Sequence, residues 1–161
     1  MANAELPEVL KTIRTRPLFF MRLPVRPLVV VGATPGAFRR IGIAPGGSFE
    51  GERLAGDILY PGTDWQSVRS DRSTKLDVRL VLKTNDGALI GMTYQGLRHG
   101  PVAVIDRLEK GEIVDPESYY FRINPLIETS AGKYDRLNRV IAVGAGHRVE
   151  GGAIYNVFEV L

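Results

Sequence analysis

The sequence predicts an all-β protein, an antiparallel β-barrel of about eight to ten strands with one or two short helices. Three observations carry that expectation. Glycine and proline punctuate the chain at short intervals from Pro17 to Gly96. The runs between them are short and rich in Val, Ile, Leu, Phe and Tyr, residues that fit a pleated, half-buried surface. Helical spacing occurs in only two stretches.

The first of these is "LPEVLKTIR", where Pro7 suits a first turn and Val9, Leu10 and Ile13 share a side. It lies in an N-terminal extension, residues 1–16, of a single 1–161 domain. Next comes "PLVVVGATPGAFRRIG", which imitates a strand running into a phosphate loop. Gly32 and Gly36 fit neither G-x-G-x-x-G nor G-x-x-x-x-G-K-[ST], and the β-like "FRRIGIA" that follows predicts a turn between strands. "GTDWQSVRSD" places Asp64, Trp65 and Asp71 near strand ends. In "KLDVRLVLKTNDGALIGMTYQG" two alternating runs flank Asp86-Gly87, a strong hairpin signal. "GPVAVIDRLEKGE" is the second helix, with Pro101 in the first turn, Val104, Ile105 and Leu108 on one face, and Gly111 as its stop. Strands resume in "SYYFRINPLIETS", "NRVIAVGAGHR" and "AIYNVFEV", the last two joined through Glu150-Gly151-Gly152.

Composition narrows the function. Apolar residues make up 44% and charged residues 24%, with a net charge of +3. The basic residues Arg14, Arg16, Arg22 and Arg26 are scattered among apolar ones, so no nucleic-acid-binding stripe forms. The chain has no cysteine and only two histidines, His99 and His147, without metal-binding spacing. No metal and no cofactor is expected. G-x-S-x-G is absent, and neither histidine stands in a triad context. "RPLFFMRLPVRPLVVVGA" is broken by Arg22, Pro24, Arg26 and Pro27, which predicts neither a signal peptide nor a membrane span, hence a cytoplasmic protein.

Three segments, "VGATPGAFRRIGIAPGGSFEGERLAGDILYPGTDW", "LDVRLVLKTNDGALIGMTYQGLRHG" and "DPESYYFRINPLIETSAGKYDRLNRVIAVGAG", resemble the successive motifs of the domain-of-unknown-function 3237 family, also called uncharacterised protein family 0311. The resemblance runs from about Pro17 to the C-terminus and implies a small β-barrel. The family has no generally assigned activity, so no catalytic residue carries over. Met92-Thr93-Tyr94 stands where members vary.

The site turns on which hairpin face is buried. A two-residue turn at Asp86-Gly87 sets Arg79 opposite Tyr94, Asp77 opposite Gly96 and Val81 opposite Met92. Simple alternation buries Leu76, Val78, Leu80 and Leu82 and leaves Asp77 and Arg79 wet. The opposite assignment sends the mixed face, with Ile90, Met92 and Tyr94, into a ligand cavity. The leucine face would then need cover from the helices or from a second subunit, predicting a homodimer.

On the cavity assignment Asp77, Arg79, Tyr94 and Glu128 are the candidate catalytic residues. Arg79 binds an anion, Asp77 or Glu128 moves a proton, and Tyr94 or Tyr120 donates to a carbonyl. Trp65, Asp71, Met92, Tyr120, Arg122 and Asn138 are candidate ligand contacts, although Tyr134 and Asn138 also suit a structural corner. The expected function is a cofactor-independent isomerase, lyase or cyclase acting on a small, partly apolar metabolite. The alternatives are a lipocalin-like carrier or sensor, and a barrel packed solid. No nucleic-acid or membrane partner is expected.

Overall fold

A computed structural model describes residues 6–161. Twelve antiparallel strands form one sheet: β1 Thr15–Pro24, β2 Val29–Ala33, β3 Phe38–Ala44, β4 Gly47–Glu50, β5 Ala55–Ile58, β6 Gly62–Val68, β7 Thr74–Thr84, β8 Leu89–His99, β9 Tyr120–Ile123, β10 Leu126–Glu128, β11 Ala142–Val149 and β12 Gly152–Val160. Helix α1, Val102–Glu109, follows β8. The pairings β1–β4, β4–β5, β5–β7, β7–β8, β8–β9, β9–β11, β11–β12 and β12–β1 return to their start, so eight strands close a ring. The ring removes the open edges that a flat sheet of this length would leave.

Two long strands are shared. On one edge of β7, β5 takes Leu82–Thr84 and β6 takes Thr74–Arg79. On the far edge of β8, β9 takes the Gly96–His99 end and β10 the Gly91–Thr93 end, with buried Pro125 at the break. From β6 the sheet continues to β3 and then to the open strand β2.

Alternation decides what fills the ring. Leu76, Val78, Leu80 and Leu82 of β7 face inward and are buried, as are Ile90, Met92 and Tyr94 of β8. Phe121 and Ile123 of β9 fill space that three inward glycines leave: a Cβ on Gly96 would stand 2.9 Å from Ile123, and one on Gly144 or Gly146 2.8 Å from Ile123 or Phe121. Burying this many large apolar side chains, at about 1.5–3 kcal/mol each, is the main stabilising term. The cavity assignment of the hairpin is therefore overturned. The leucine face is the interior, and its need for a covering subunit disappears with it.

The cause is one residue of register. Thr84 N–H donates to Ala88 O and Gly87 N–H to Thr84 O, so the loop is Asn85-Asp86-Gly87, with Gly87 at φ +90°. Val78 consequently faces Tyr94, Leu80 faces Met92 and Leu82 faces Ile90. One slipped residue inverts every side chain.

The N-terminal helix also fails to form. Only Glu8–Leu10 makes a single 3-10 turn, and Val9, Leu10 and Ile13 stay exposed with nothing to pack against. Nine residues without a buried face cannot offset helix nucleation. Helix α1 does form, burying Ile105 and Leu108. The Glu150-Gly151 turn joins β11 to β12, with Gly151 at φ +73°. No helix among the described residues is long and apolar enough to cross a membrane.

Candidate functional site

The inward face is apolar along most of β7 and polar where β3 and β6 meet it. Asp64 of β6 sits opposite Val78 on one side and Gly42 on the other, so it shares their inward face. Its Oδ2 accepts from Gln66 Nε2 at 2.7 Å and its Oδ1 from the Asp77 backbone N–H at 3.2 Å. Gln66 Oε1 in turn accepts from Arg40 Nε at 2.7 Å. The guanidinium of Arg40 then grips Glu109, at the end of α1, through two bonds of 2.5 and 2.9 Å. A polar chain thus runs from the interior to the helix that follows β8.

Two tyrosines border Asp64. Tyr94 and Tyr155 pack edge to face with centroids 5.8 Å apart, and Tyr155 stands at 90° to Phe121. Together with Asp64, Thr63, Leu23 and Val78 they line a small, partly open cavity of about 20 Å³, room for one water molecule. The Tyr94 hydroxyl is buried and unpartnered. So are Arg98 Nη2 and Arg148 Nε. Arg98, 3% exposed, lies with its Cζ 5.2 Å from the Phe121 centroid. Beside it the Tyr119 hydroxyl, 2.9 Å from His147 Nδ1, accepts from the Arg148 backbone N–H at 2.8 Å.

Unpartnered buried polar atoms are rare, and here three of them sit on the inward lining of one barrel. The surroundings also shift ionisation at Asp64, Tyr94, Tyr155 and Arg98. Burial raises the Asp64 carboxyl above its ordinary value, against the pull of Gln66, the Asp77 N–H, Arg98 and Arg40. Burial pushes Tyr94 well up and brings Tyr155 to about 12, with the Asp64 charge adding to both. Arg98 is brought down to about 10 by burial and then by the like charge of Arg148. Glu109 is held low by its hydrogen bonds from Arg40. A carboxyl raised above its ordinary value, two neutral phenols and the buried cation of Arg98 are the parts of a proton-transfer site.

Of the residues singled out in the sequence, Tyr94 and Met92 are in this interior. Asp77 and Arg79 are on the outer wall, where Asp77 contributes only its backbone N–H. Glu128 is exposed on β10, and Trp65 is 46% exposed on the outer side of β6. Asp71 sits in the β6–β7 loop, where its Oδ1 accepts from the backbone N–H and hydroxyl of Ser73. Tyr120 and Arg122 are on the outer face of β9. Asn138 holds a corner, pairing with both the N–H and the carbonyl of Thr129. Sequence reading missed Arg40, Arg98, Arg148 and Tyr155, and placed Asp64 only near a strand end. One signal existed: Tyr94, Gly96 and Arg98 alternate, so burying the tyrosine commits the arginine to the interior.

Among the described residues no group of three or more His, Cys, Asp or Glu is placed to hold a metal ion. The family described as "Protein of unknown function (DUF3237)" matches residues 13–160. The UPF0311 protein RPA1785 of Rhodopseudomonas palustris is 31% identical over 150 residues, spanning 93% of this chain and 98% of that protein. Its crystal structure, described as a conserved protein of unknown function, superposes with a TM-score of 0.90 over 93% of this chain and 99% of that one. A "beta-barrel like protein" of Acinetobacter baumannii is 38% identical with a TM-score of 0.81, covering 93% of this chain and 97% of its own. An enzyme from Penicillium herquei shares the fold at a TM-score of 0.73 and 19% identity, over 97% of this chain and all of that one.

Proposed function

This chain belongs to the DUF3237 family, and on that footing we propose that it is a cofactor-independent acid/base enzyme, an isomerase, lyase or cyclase for a small enolisable carbonyl compound. The observation that carries the reading is Asp64: a partly buried carboxyl with a raised pKa, facing two tyrosines inside the barrel. As a carboxylate it removes a proton from the carbon beside the substrate carbonyl. The C–H electron pair passes into the enolate, whose oxygen takes a hydrogen bond from the Tyr94 hydroxyl. The proton then returns from Asp64 to a different carbon, or the enolate pair forms the Cα=Cβ bond while a β-leaving group departs with the electrons of its own bond and takes the proton from Asp64. Arg98, with a free nitrogen, supports the negative charge in low dielectric.

A cavity of about 20 Å³ admits no substrate as it stands, so the wall must open. Val25, on the segment between β1 and β2, is suited to that motion: it is only partly buried, lines the cavity and lies over Gly42 beside Asp64. Closure over substrate would exclude water and strengthen each of these interactions.

The test is deuterium exchange. A panel of small β-keto acids and β-diketones is incubated with protein in D₂O, and loss of the α-proton signal is followed by NMR. Wild-type protein should accelerate exchange for at least one member, and Asp64→Asn should abolish the acceleration while remaining folded. No acceleration across the panel, or acceleration that survives Asp64→Asn, overturns the reading.

A further inference from the structure

The outer wall of the barrel holds a second, larger feature that the interior site does not use. Where β7, β8, β9 and β11 face outward there is a groove of about 690 Å³, within the range of small-molecule sites. Its layout follows from register. Lys75 lies opposite Leu97, Leu97 opposite Arg122, and Arg122 opposite Ala145, so four strands contribute one continuous row. With strands about 4.8 Å apart, the two cations stand roughly 10 Å apart at their Cα atoms, with the leucine between them. Arg69 adds a third cation.

The floor is apolar. Ala145 is short enough to leave a hollow that Val143 and Phe158 wall on one side. Leu97 is 38% exposed and Val143 39%, so the surface is wetted apolar area with no protein cover. No carboxylate lines the groove, although Asp77 stands just outside it, opposite Gln95. Among the described residues, Arg69, Lys75 and Arg122 make no ion pair, whereas nine pairs form elsewhere. Arg122 is nevertheless held in place, donating to Phe121 O at 2.9 Å and lying 5.2 Å from the Tyr120 centroid.

From this charge pattern we infer that the groove is a binding site for a small organic anion with an apolar body, its acid group between Lys75 and Arg122 and its body on Leu97, Val143 and Phe158. Three cations are too few to track a nucleic-acid backbone, and an uncharged ligand would leave all three without a partner. The inference stands apart from the interior chemistry and shares no residue with it.

The probe is 1-anilinonaphthalene-8-sulfonate, an aromatic body with one anionic group, titrated by fluorescence into the full chain. Its uncharged analogue N-phenyl-1-naphthylamine is titrated in parallel. Wild-type protein should bind the sulfonate saturably at one site. Lys75→Ala and Arg122→Ala should each weaken it by about tenfold, while the uncharged analogue changes less than about twofold. Ala145→Leu, which fills the floor, should weaken both, and Lys83→Ala, at the far end of β7, neither. All four positions are on the outer wall, so melting curves should stay near wild type and separate lost binding from lost folding. Sulfonate binding indifferent to both charge removals, or no saturable binding, overturns the inference. So does a wild-type dimer that Leu97→Glu converts to monomer, since the groove would then belong to a second copy.

Discussion

Tyr94 shows at the scale of one residue how a functional group differs from a structural one. Its ring fills the core against Tyr155, yet its hydroxyl is fully buried without a partner. A buried hydroxyl with no hydrogen bond costs about 1–3 kcal/mol of desolvation, and phenylalanine keeps the packing without that penalty. Tyr94→Phe should therefore raise stability in urea unfolding, by up to about 1 kcal/mol. In the same protein any acid/base turnover should fall at least tenfold. A loss of stability with unchanged turnover would make the hydroxyl a structural donor. The sequence marked Tyr94 but paired it with Arg79, and it passed over Asp64 because a lone carboxylate beside a tryptophan looks like a strand end. Only the cross-strand neighbours Gly42 and Val78 reveal that Asp64 points inward. Those neighbours come from β3 and β7, and neither pairing can be read from local spacing.

At the scale of elements, most of the barrel was legible. The hairpin, the 102–109 helix, the late strands and the Glu150-Gly151 turn follow from alternation, helical spacing and turn residues. What the local pattern left undetermined was loop length. Asn85-Asp86-Gly87 reads equally well as a two-residue Asp-Gly turn or as a three-residue loop ending in a left-handed glycine. The second is the one formed, and it moves Ile90, Met92 and Tyr94 from the charged face to the leucine face. Gly87 is thus the pivot of the site. Its φ is +90° and nothing lies within 4 Å of an added Cβ, so only backbone conformation opposes a side chain there. Gly87→Ala should cost about 1–2 kcal/mol. Gly36→Ala, equally open and without a positive φ, should be close to neutral. Equal melting temperatures for the two variants would show that the loop does not depend on the left-handed residue.

For the whole molecule, the two ends of the ring are closed by different chemistry, and that difference sets how stability responds to pH. Helix α1 lies at the Arg98 end. At the other end Glu159, 1% exposed, accepts hydrogen bonds from Arg16, Arg53 and Arg136, which come from β1, the β4–β5 loop and the 132–139 segment. Burial pushes this carboxyl up, but the bonds from the three arginines outweigh it and hold it down at about 2. A folded pKa below the unfolded one contributes stability above the unfolded value, and that contribution is lost as pH falls through the folded value. A depression from 4.5 to about 2 corresponds to at most roughly 3 kcal/mol at neutral pH, less whatever solvent screens at the half-exposed arginines. Asp64 works in the opposite sense, because its folded pKa is raised. Its contribution is full below the unfolded value and is lost as pH rises through the folded one. Urea unfolding of Glu159→Gln should therefore show a deficit of about 2–3 kcal/mol at pH 7 that narrows between pH 4.5 and 2. Asp64→Asn should instead gain on wild type as pH rises from acid to neutral. A Glu159→Gln deficit that stays constant down to pH 2 would mean that the arginines hold the glutamate by packing and not by charge. An Asp64→Asn difference flat with pH would remove the raised carboxyl on which the proton-transfer reading rests.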